Sequence, residues 1–410
     1  MFFISILVWI VALLPWIDYA IRGVFPSALA GTWDEVLIIL FLIAIYIYQC
    51  LREEPQRRRD IIAPSIKYTF YILIIFTAGS IIINAVPLAV SFDAVRVMYQ
   101  PMLFIILAMF TLDNEELLDS FIRVLIGSTV IIALLGIIQY ALQLDTTRFV
   151  QKSGEQYRII SIFSNPNALG AYFNMVLAFL ISFFLHSKGW RYKAFYTLLI
   201  IPIVIGLLLT FSRGAWIAFA VMVIFAVFVY AKKWLLALIP LVIALPFILP
   251  DSIINRFMNI FDPEYLRLSG EYGRIFFWRG AIEKTLDKPF FGNGLGMYGD
   301  SVPLRHNIPF STWVDNHFLK LGADIGIFGL ISVIVLLALL LLFAHRLYQN
   351  ADTAKYKAII LGAAGAIVTM ATQNMTASIW EVLVDAITFY AIIGLLFAVA
   401  WYQKEKEPKN

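Results

Sequence analysis

The sequence predicts an all-α, polytopic integral membrane protein with about twelve transmembrane helices. Of its 410 residues, 61% are hydrophobic and only 14% are charged, and the mean hydropathy is +0.84. A soluble domain is closer to half apolar and a quarter charged. Apolar runs long enough to cross the hydrocarbon of a bilayer recur along the whole chain. We therefore expect residues 1–410 to form a single transmembrane domain.

Each span is predicted from an apolar run that polar residues or turn formers interrupt. The alternating ten-residue segments of a transmembrane barrel are absent, so every span is expected to be helical. The first run lacks a basic start and a cleavage site, and we interpret it as a span and not as a signal peptide. A long loop that contains helices is predicted over 251–315. The predicted spans are 2–17, 34–50, 67–88, 95–112, 117–142, 167–186, 194–211, 214–231, 234–250, 316–347, 354–374 and 378–402.

The distribution of lysine and arginine predicts the orientation of these spans. Short cytoplasmic loops are enriched in both residues. When the loops between spans are counted from the N-terminus, the basic short loops are all even-numbered. We therefore expect both termini in the cytoplasm and the loop 251–315 on the outer side. The residues concerned, including those of the C-terminal tail, are Arg52, Arg57, Arg58, Arg59, Lys188, Arg191, Lys193, Lys232, Lys233, Arg346, Lys355, Lys357, Lys404, Lys406 and Lys409.

Several arginines lie on the predicted outer side, where this rule expects few. Arg213 occupies a turn between two spans that is too short to escape the rule. Arginine at a membrane boundary is costly without a partner, and its forked guanidinium suits phosphate. An anionic, lipid-linked substrate is therefore the expected partner. The alternative for Arg213 is a tight turn whose arginine extends to lipid head groups.

Two outer segments combine arginine with helix-start signals. Asn165 is a good N-cap for the run that begins at Asn167, but capping does not explain Arg158 nearby. In the loop, Arg274 and Trp278 are four residues apart and share one helical face, with Arg279 beside them. An interfacial anchoring helix is the alternative to substrate binding there.

The start of the tenth span carries a candidate general base. Asp315 and Asn316 are suitable N-caps, and capping of the helix would explain both residues without a catalytic role. Asp315 and His317 at a membrane boundary are also suited to activating a hydroxyl. His306, in the outer loop, is a reserve candidate.

Five motifs in this order resemble the O-antigen ligase/polymerase family of bacterial membrane glycosyltransferases. They run from about residue 158 to residue 329 and all fall on the predicted outer side. The motifs are Arg158-x4-Phe163-Ser164-Asn165-Pro166-Asn167-Ala168-x-Gly170, Thr210-Phe211-Ser212-Arg213-Gly214, Arg274-x3-Trp278, Gly294-x-Gly296-x-Tyr298 and Asp315-Asn316-x2-Leu319-x6-Gly326-x2-Gly329.

The resemblance implies a GT-C-like membrane fold in the bacterial plasma (inner) membrane, with an extracytoplasmic active site. It implies transfer of a glycan from undecaprenyl diphosphate to a glycan or glycolipid acceptor, without a metal, a cofactor or a nucleotide sugar. Membrane lipids are expected as partners, and nucleic acid is not. By motif, Arg158, Arg213 and Arg274 match the family's substrate-binding arginines, and Arg279 is added to them. Supporting roles fall to Asn165, Asn167, Ser212, Trp278 and Asn316.

One departure from the family pattern leaves the base open. Ligases typically carry a histidine eleven residues before the first glycine of the last motif, where this chain has Asp315. His306 lies twenty residues before Gly326 and does not align. Either Asp315 or His317 is the base, or the chain is a polymerase that joins lipid-linked repeat units. A polysaccharide-lipid transporter is a third candidate, although no internal repeat supports it.

Overall fold

Helices make up almost all of the computed structural model, which describes residues 9–25, 33–50, 61–112, 114–143, 150–153, 156–309 and 312–406. Short 3₁₀ segments cover Lys232–Ala237, Asn259–Phe261 and Ile379–Glu381. The helices are α1 (Leu14–Val24), α2 (Trp33–Cys50), α3 (Pro64–Ile83), α4 (Leu88–Tyr99), α5 (Leu103–Thr111), α6 (Glu115–Ala141), α7 (Pro166–His186), α8 (Trp190–Leu209), α9 (Arg213–Ala231), α10 (Leu238–Ile248), α11 (Asp251–Met258), α12 (Pro263–Glu271), α13 (Arg274–Asp287), α14 (Ser301–Arg305), α15 (His317–Gln349), α16 (Ala354–Gln373) and α17 (Leu383–Lys406).

Nine helical segments within the described ranges are long and apolar enough to cross a membrane. The described part of the chain is thus a predominantly helical polytopic membrane protein, as its composition predicts; the number twelve is not confirmed. The nine segments are Pro64–Ile83, Leu88–Thr111, Glu115–Ala141, Pro166–His186, Trp190–Leu209, Arg213–Ala237, His317–Gln349, Ala354–Gln373 and Leu383–Lys404.

Three predicted spans are not among these nine. The first half of the span 2–17 lies outside the described residues, and α1 extends beyond it to Val24. The span 34–50 coincides with α2. The span 234–250 is divided between a six-residue 3₁₀ segment and α10, which has only 11 residues.

Turn residues shift one predicted boundary. Spans were expected over 67–88 and 95–112, but α3 ends at Ile83 and α4 already begins at Leu88. Ala85 has a φ of 47° and Pro87 is the N-cap of α4, so the chain turns several residues earlier than its hydropathy indicates. A second break, at Pro101, separates α4 from α5 within one membrane-long segment.

The core lies where α7 packs against α16 and α9, with α17 against α5 and α15 against α3. Aromatic side chains of α7, including Tyr172, Phe173 and Phe179, are fully buried. Alternate long helices begin at the same end of the bundle. We call the end that holds the starts of α7, α9, α15 and α17 the site end.

A small antiparallel hairpin at the site end corrects the expectation that only helices occur. Its strands are β1 (Val150–Ser153) and β2 (Gln156–Ile159). Gln151 pairs with Arg158 in the register. The hairpin precedes α7 and lies outside the nine candidate spans, where water can satisfy its strand edges.

The long helix α15 is interrupted at Gly326, whose φ of 78° and ψ of 177° are not helical. The carbonyls of Ala323 and Asp324 accept hydrogen bonds from the loop that precedes the helix. Asn293 N donates to Ala323 O at 2.8 Å, and Gly294 N donates to Asp324 O at 3.1 Å. The amide of Ile327 donates instead to Pro289 O at 2.7 Å. The first turns of α15 are therefore bonded to the loop before them.

Replacing Gly326 with alanine is expected to destabilise the protein. A Cβ would lie 2.6 Å from the carbonyl oxygens of Pro289 and Phe290, and the backbone conformation is one that only glycine adopts readily. We expect a loss of about 2 kcal/mol or more, seen as a lower unfolding temperature in detergent by tryptophan fluorescence. Gly127→Ala is the matched control, because a Cβ on α6 at Gly127 meets nothing within 4 Å. Equal unfolding temperatures for the two variants would contradict this account of the kink.

Candidate functional site

A polar cavity of about 750 Å³ opens at the site end of the bundle. Several of its residues precede or begin helices, namely Asn165 before α7, Arg274 at the start of α13 and Asp315 before α15. Its lining therefore combines side chains with the exposed amides of helix N-termini, which favour anions. The lining also includes Arg158, Asn167, Trp313, Ser378, Trp380 and Glu381.

Arg158 is fixed in this cavity by two hydrogen bonds. Its Nε donates to the carbonyl of Thr210 at 2.9 Å, and its Nη2 donates to Asn167 Oδ1 at 3.3 Å. Burial lowers the pKa of Arg158 to about 10, and the nearby charges of Arg256, Arg274 and Arg213 act in the same direction. The group remains cationic at neutral pH, and it is held among like charges.

Asn167 links the hairpin to two helices. Its Oδ1 also accepts from Ser212 Oγ at 2.8 Å, and its carbonyl accepts from Gln373 Nε2 at 2.6 Å. Ser212 is the N-cap of α9, and Asn165 is the N-cap of α7 through a 2.9 Å bond from Ala168 N. The predicted supporting residues Asn165, Asn167 and Ser212 thus position the backbone around Arg158.

Arg213 is the first residue of α9 and contacts Tyr265 of α12. Its Nη2 donates to the Tyr265 hydroxyl at 2.6 Å, and the guanidinium lies 4.7 Å from the ring centroid. Its Nη1 is buried without a hydrogen-bond partner among the described residues. Arg213 is not among the residues that line the polar cavity.

Arg256 on α11 completes a cluster that the sequence did not single out. Its Nε is also buried without a partner in the described structure. Its pKa is lowered by burial and then by Arg213 and Arg274, so the guanidiniums lie within electrostatic reach of each other. Nothing in the sequence distinguishes Arg256 from the other basic residues of the loop, and no motif marks Tyr265. We call Arg158, Arg213, Arg256 and Arg274 the arginine cluster.

Asp315 is the carboxylate that pairs with this cluster. Arg274 Nε donates to Asp315 Oδ2 at 2.8 Å. Asp315 has a φ of 54°, and the indole N–H of Trp278 donates to the preceding carbonyl, of Val314, at 2.9 Å. Arg274 and Trp278, predicted to share one face of a helix, therefore hold the same two-residue turn.

The other predicted residues lie apart from Arg158 and Arg274. Asn316 is the N-cap of α15, and the ring of His317 is buried at 5.3 Å from the Trp380 ring. His317 lines a different cavity, described below. His306 Nε2 lies 3.2 Å from Asp93 Oδ2, and Arg279 is exposed on α13; neither lines a described cavity.

Residues 195–334, about a third of the chain, match the family model described as O-antigen ligase. The segment contains Arg213, Arg256, Arg274 and Asp315. This segment is similar to O-antigen ligases, and the match confirms the resemblance to the O-antigen ligase/polymerase family that the motifs indicate.

Among solved structures, the chain is similar to one chain of a peptidoglycan synthase complex, described as coordinating polymerization and crosslinking. The two share 17% sequence identity at a TM-score of 0.50, over 82% of this chain and 98% of the other. At that identity the similarity concerns the fold alone, and it extends well beyond residues 195–334. No match was found among curated proteins.

Beside the polar cavity lies an apolar cavity of about 280 Å³. Side chains of α3, α4, α5, α15 and α17 form its walls, including Phe70, Met98, Leu321 and Phe397. Its polar end is formed by His317, Lys320 and Glu381. Val97, Trp380 and Glu381 line both cavities, which are therefore adjacent.

A buried charge network lies at this junction. Lys320 Nζ is 2.7 Å from Asp324 Oδ2 and 3.1 Å from Glu381 Oε1. Asp300, His317 and Glu381 offer possible metal-ligand atoms within 4.8 Å of one another. Because the Lys320 ammonium already neutralises Glu381, a divalent ion would have to compete with it.

Asp300 belongs to the same network and is fully buried. Its Oδ1 accepts from Val314 N at 2.8 Å, and its Oδ2 accepts from the Ser378 hydroxyl. Burial and the neighbouring Glu381 raise the pKa of Asp300 to about 7. Because the Val314 amide precedes Asp315, this carboxyl holds the turn that presents Asp315.

The raised pKa of Asp300 predicts a stability that falls as the pH rises. The folded state holds this proton more tightly than the unfolded chain, so the contribution is present at about pH 4 and is lost as the pH passes about 7. We expect the unfolding temperature to decrease between about pH 5 and pH 8, and less so in Asp300→Asn, which keeps the Val314 bond.

Asp119→Asn is the control for this measurement, because Asp119 pairs with Lys355 at the opposite end of the bundle. Its unfolding temperature over the same pH range provides the reference. If Asp300→Asn shows the same pH dependence as the control, Asp300 does not titrate in this range.

Proposed function

We propose that this protein is an O-antigen ligase-like glycosyltransferase of the bacterial plasma membrane. In this proposal a glycan passes from undecaprenyl diphosphate to a hydroxyl of a lipid- or wall-linked sugar at the outer face. The observation that carries it is the arginine cluster, whose four guanidiniums lie within electrostatic reach of one another. One of them, Arg274, pairs with Asp315.

The two adjacent cavities match the two parts of such a donor. Arg158 and Arg274 provide forked donors for the oxygens of a diphosphate. The apolar cavity is suited to the first isoprene units of the lipid, since its walls are almost wholly aliphatic and aromatic. A donor at the junction near Trp380 would place one part in each cavity.

The positive charges of Arg213 and Arg256 support a role of the arginine cluster in departure of the diphosphate. Arg213 and Arg256 each hold a buried N–H that no described residue accepts, so the cluster retains unused positive potential. As the bond between the anomeric carbon and the phosphate oxygen breaks, the diphosphate takes the electron pair. Fixed donors at such a site contribute on the order of 3–4 kcal/mol each.

Asp315 is the proposed base, with His317 as the second candidate. The acceptor hydroxyl oxygen bonds to the anomeric carbon and its proton moves to the Asp315 carboxylate. Asp315 borders the polar cavity, whereas His317 borders the apolar one. Arg274 pairs with Asp315, and a bound diphosphate would compete with Asp315 for that guanidinium.

The basic residues support the proposed orientation. Lys188, Arg346 and Lys355 lie where α7, α15 and α16 meet the end of the bundle opposite the cavity. With that end in the cytoplasm, both termini are cytoplasmic and the polar cavity faces outward.

Polymerisation of lipid-linked repeat units is the second candidate, favoured by Asp315 at the position where ligases typically carry histidine. Transport is less well supported. Polar groups within the core, such as Asn174 and Gln373, bond to each other or to backbone carbonyls, as expected for interhelical contacts.

Reconstitution tests the proposal and separates its two forms. The purified protein in lipid vesicles is given an undecaprenyl-diphosphate oligosaccharide, with or without a separate glycolipid acceptor. A ligase modifies the acceptor, whereas a polymerase lengthens the donor chain. Vesicles that move the lipid across the bilayer and form no new glycosidic bond would refute both.

Arg158→Ala is expected to reduce the transfer rate by about 100-fold or more, because one positioned donor to the diphosphate is lost. Arg267→Ala is the matched control, since Arg267 is exposed in the same loop region and pairs with Glu264 and Glu271. Wild-type turnover in Arg158→Ala, at equal expression, would show that Arg158 does not take part in transfer.

Asp315→Asn should abolish turnover without weakening donor binding, because the amide cannot accept the hydroxyl proton. Binding of a non-hydrolysable donor analogue provides the second measurement. If Asp315→Asn turns over normally and a His317→Ala variant does not, the base is His317.

A further inference from the structure

Two short helices of the loop 251–315 present large apolar side chains that line neither cavity. The 3₁₀ segment Asn259–Phe261 joins α11 to α12 and contacts both. Five apolar side chains of this region are each 41% exposed or more, and we call them the apolar edge. They are Phe257, Met258, Phe261, Leu266 and Leu268. An exposed apolar surface of this kind marks a contact with another apolar phase.

The helix α11 is amphipathic. At the α-helical period, its apolar side holds Ile253, Ile254 and Phe257, and its polar side holds Asn255 and Arg256. Ile253 is buried in the protein whereas Phe257 is exposed, so the apolar side continues beyond the protein surface. A helix with this pattern is suited to lie along a boundary between water and an apolar phase.

Contacts with Arg213 place both helices at the membrane boundary. Arg213 is the first residue of the candidate span Arg213–Ala237. Its guanidinium donates to the Tyr265 hydroxyl of α12 at 2.6 Å, and its charge interacts with that of Arg256 on α11. Because both partners of Arg213 are held at the start of a span, α11 and α12 lie close to the point where that span enters the membrane.

The side of α9 that continues from Arg213 is exposed. Side chains three or four residues apart share one helical face. The exposed side chains at this spacing are Ile217, Val221, Ile224 and Phe228. Ala218 and Met222, on the other side, are buried. In a membrane-spanning helix such an exposed apolar face contacts lipid. Because Leu266 follows Tyr265 directly, the apolar edge begins where this lipid-facing surface ends.

The opposite side of α12 is charged. Arg267 lies two residues after Tyr265 and therefore points away from it. Arg267 pairs with Glu264 at 2.8 Å and with Glu271 at 3.0 Å. Charged groups on one side and apolar groups on the other are typical of helices that lie in the lipid interface. Continuity with the lipid-facing side of α9 favours lipid over a protein partner as the occupant of the apolar edge.

We propose that α11 and α12 lie in the head-group region of the lipid leaflet at the site end, with the apolar edge inserted among the acyl chains. The same two helices carry Arg256 and Tyr265, so contact with the bilayer holds both residues against Arg213. The membrane thus helps to keep the arginine cluster assembled. The lipid contact itself does not rest on the proposed function.

Quenching of a fluorophore by lipid tests the contact directly. The sole cysteine is removed by Cys50→Ala, and Met258→Cys, Phe261→Cys or Arg267→Cys provides one site for an environment-sensitive fluorophore. The full-length protein is placed in phosphatidylcholine nanodiscs with or without lipid that is brominated in its acyl chains. We expect the labels at positions 258 and 261 to be quenched about twofold or more, and the label at position 267, on the charged side, to be unchanged.

Equal quenching at all three positions, or none at 258 and 261, would overturn the inference. Size-exclusion profiles establish that the labelled proteins are folded, and two labels on the apolar edge keep the measurement available if one variant does not fold. The same labels are then measured in native membranes. Quenching that is present in nanodiscs and lost in native membranes would identify a protein partner as the occupant and would also overturn the inference.

The support that the bilayer gives the arginine cluster is measured separately, by calorimetry with inorganic pyrophosphate in nanodiscs. The double substitution Met258→Asp and Phe261→Asp should weaken binding by about tenfold, because a charged edge withdraws from lipid and displaces Arg256 and Tyr265. The double substitution Met258→Leu and Phe261→Leu keeps the edge apolar and should leave the affinity unchanged.

Equal pyrophosphate affinities in the two double variants would overturn the link between the bilayer and the arginine cluster. If the unmodified protein binds no pyrophosphate while the labels at positions 258 and 261 are quenched, the proposed function fails and the lipid contact stands.

Discussion

The structure depends most on how the charge of Arg158 is held at the membrane boundary. A guanidinium there needs hydrogen-bond acceptors, and this one uses a carbonyl freed by the α8–α9 turn and the amide oxygen of Asn167. Asn167 in turn bonds Ser212 and Gln373, so the hairpin, α7, α9 and α16 share one set of bonds. The other arginines are arranged around that fixed charge.

The sequence predicted this site unevenly, for identifiable physical reasons. Hydropathy located most of the helices because lipid demands long apolar runs, but it missed the turn at Ala85, where a backbone angle decides the boundary. Motif order singled out Arg158 and Arg274, which both line the polar cavity; their role in substrate binding stays a prediction. It could not identify Arg256 or Glu381, since their positions depend on how α11 and the Ile379–Glu381 segment pack, which no local pattern encodes.

The candidate base illustrates the same limit. From the sequence, Asp315 was the first candidate base and His317, two residues later, was the second. In the fold they diverge, because Asp315 lies in a turn with a positive φ and faces Arg274, whereas His317 begins a helix and turns toward Trp380. The turn places Asp315 and His317 in different cavities. The hydrogen bonds of Val314 to Asp300 and Trp278 stabilise that turn.

The break at Gly326 has a mechanical consequence for a membrane enzyme. Residues after it form a long apolar rod whose tilt must follow the thickness of the bilayer. Residues before it are bonded to the loop at 289–298, so they do not continue the hydrogen-bond ladder of that rod. We expect changes in lipid composition to be absorbed as a hinge angle at Gly326, while the geometry around Asp315 stays constant.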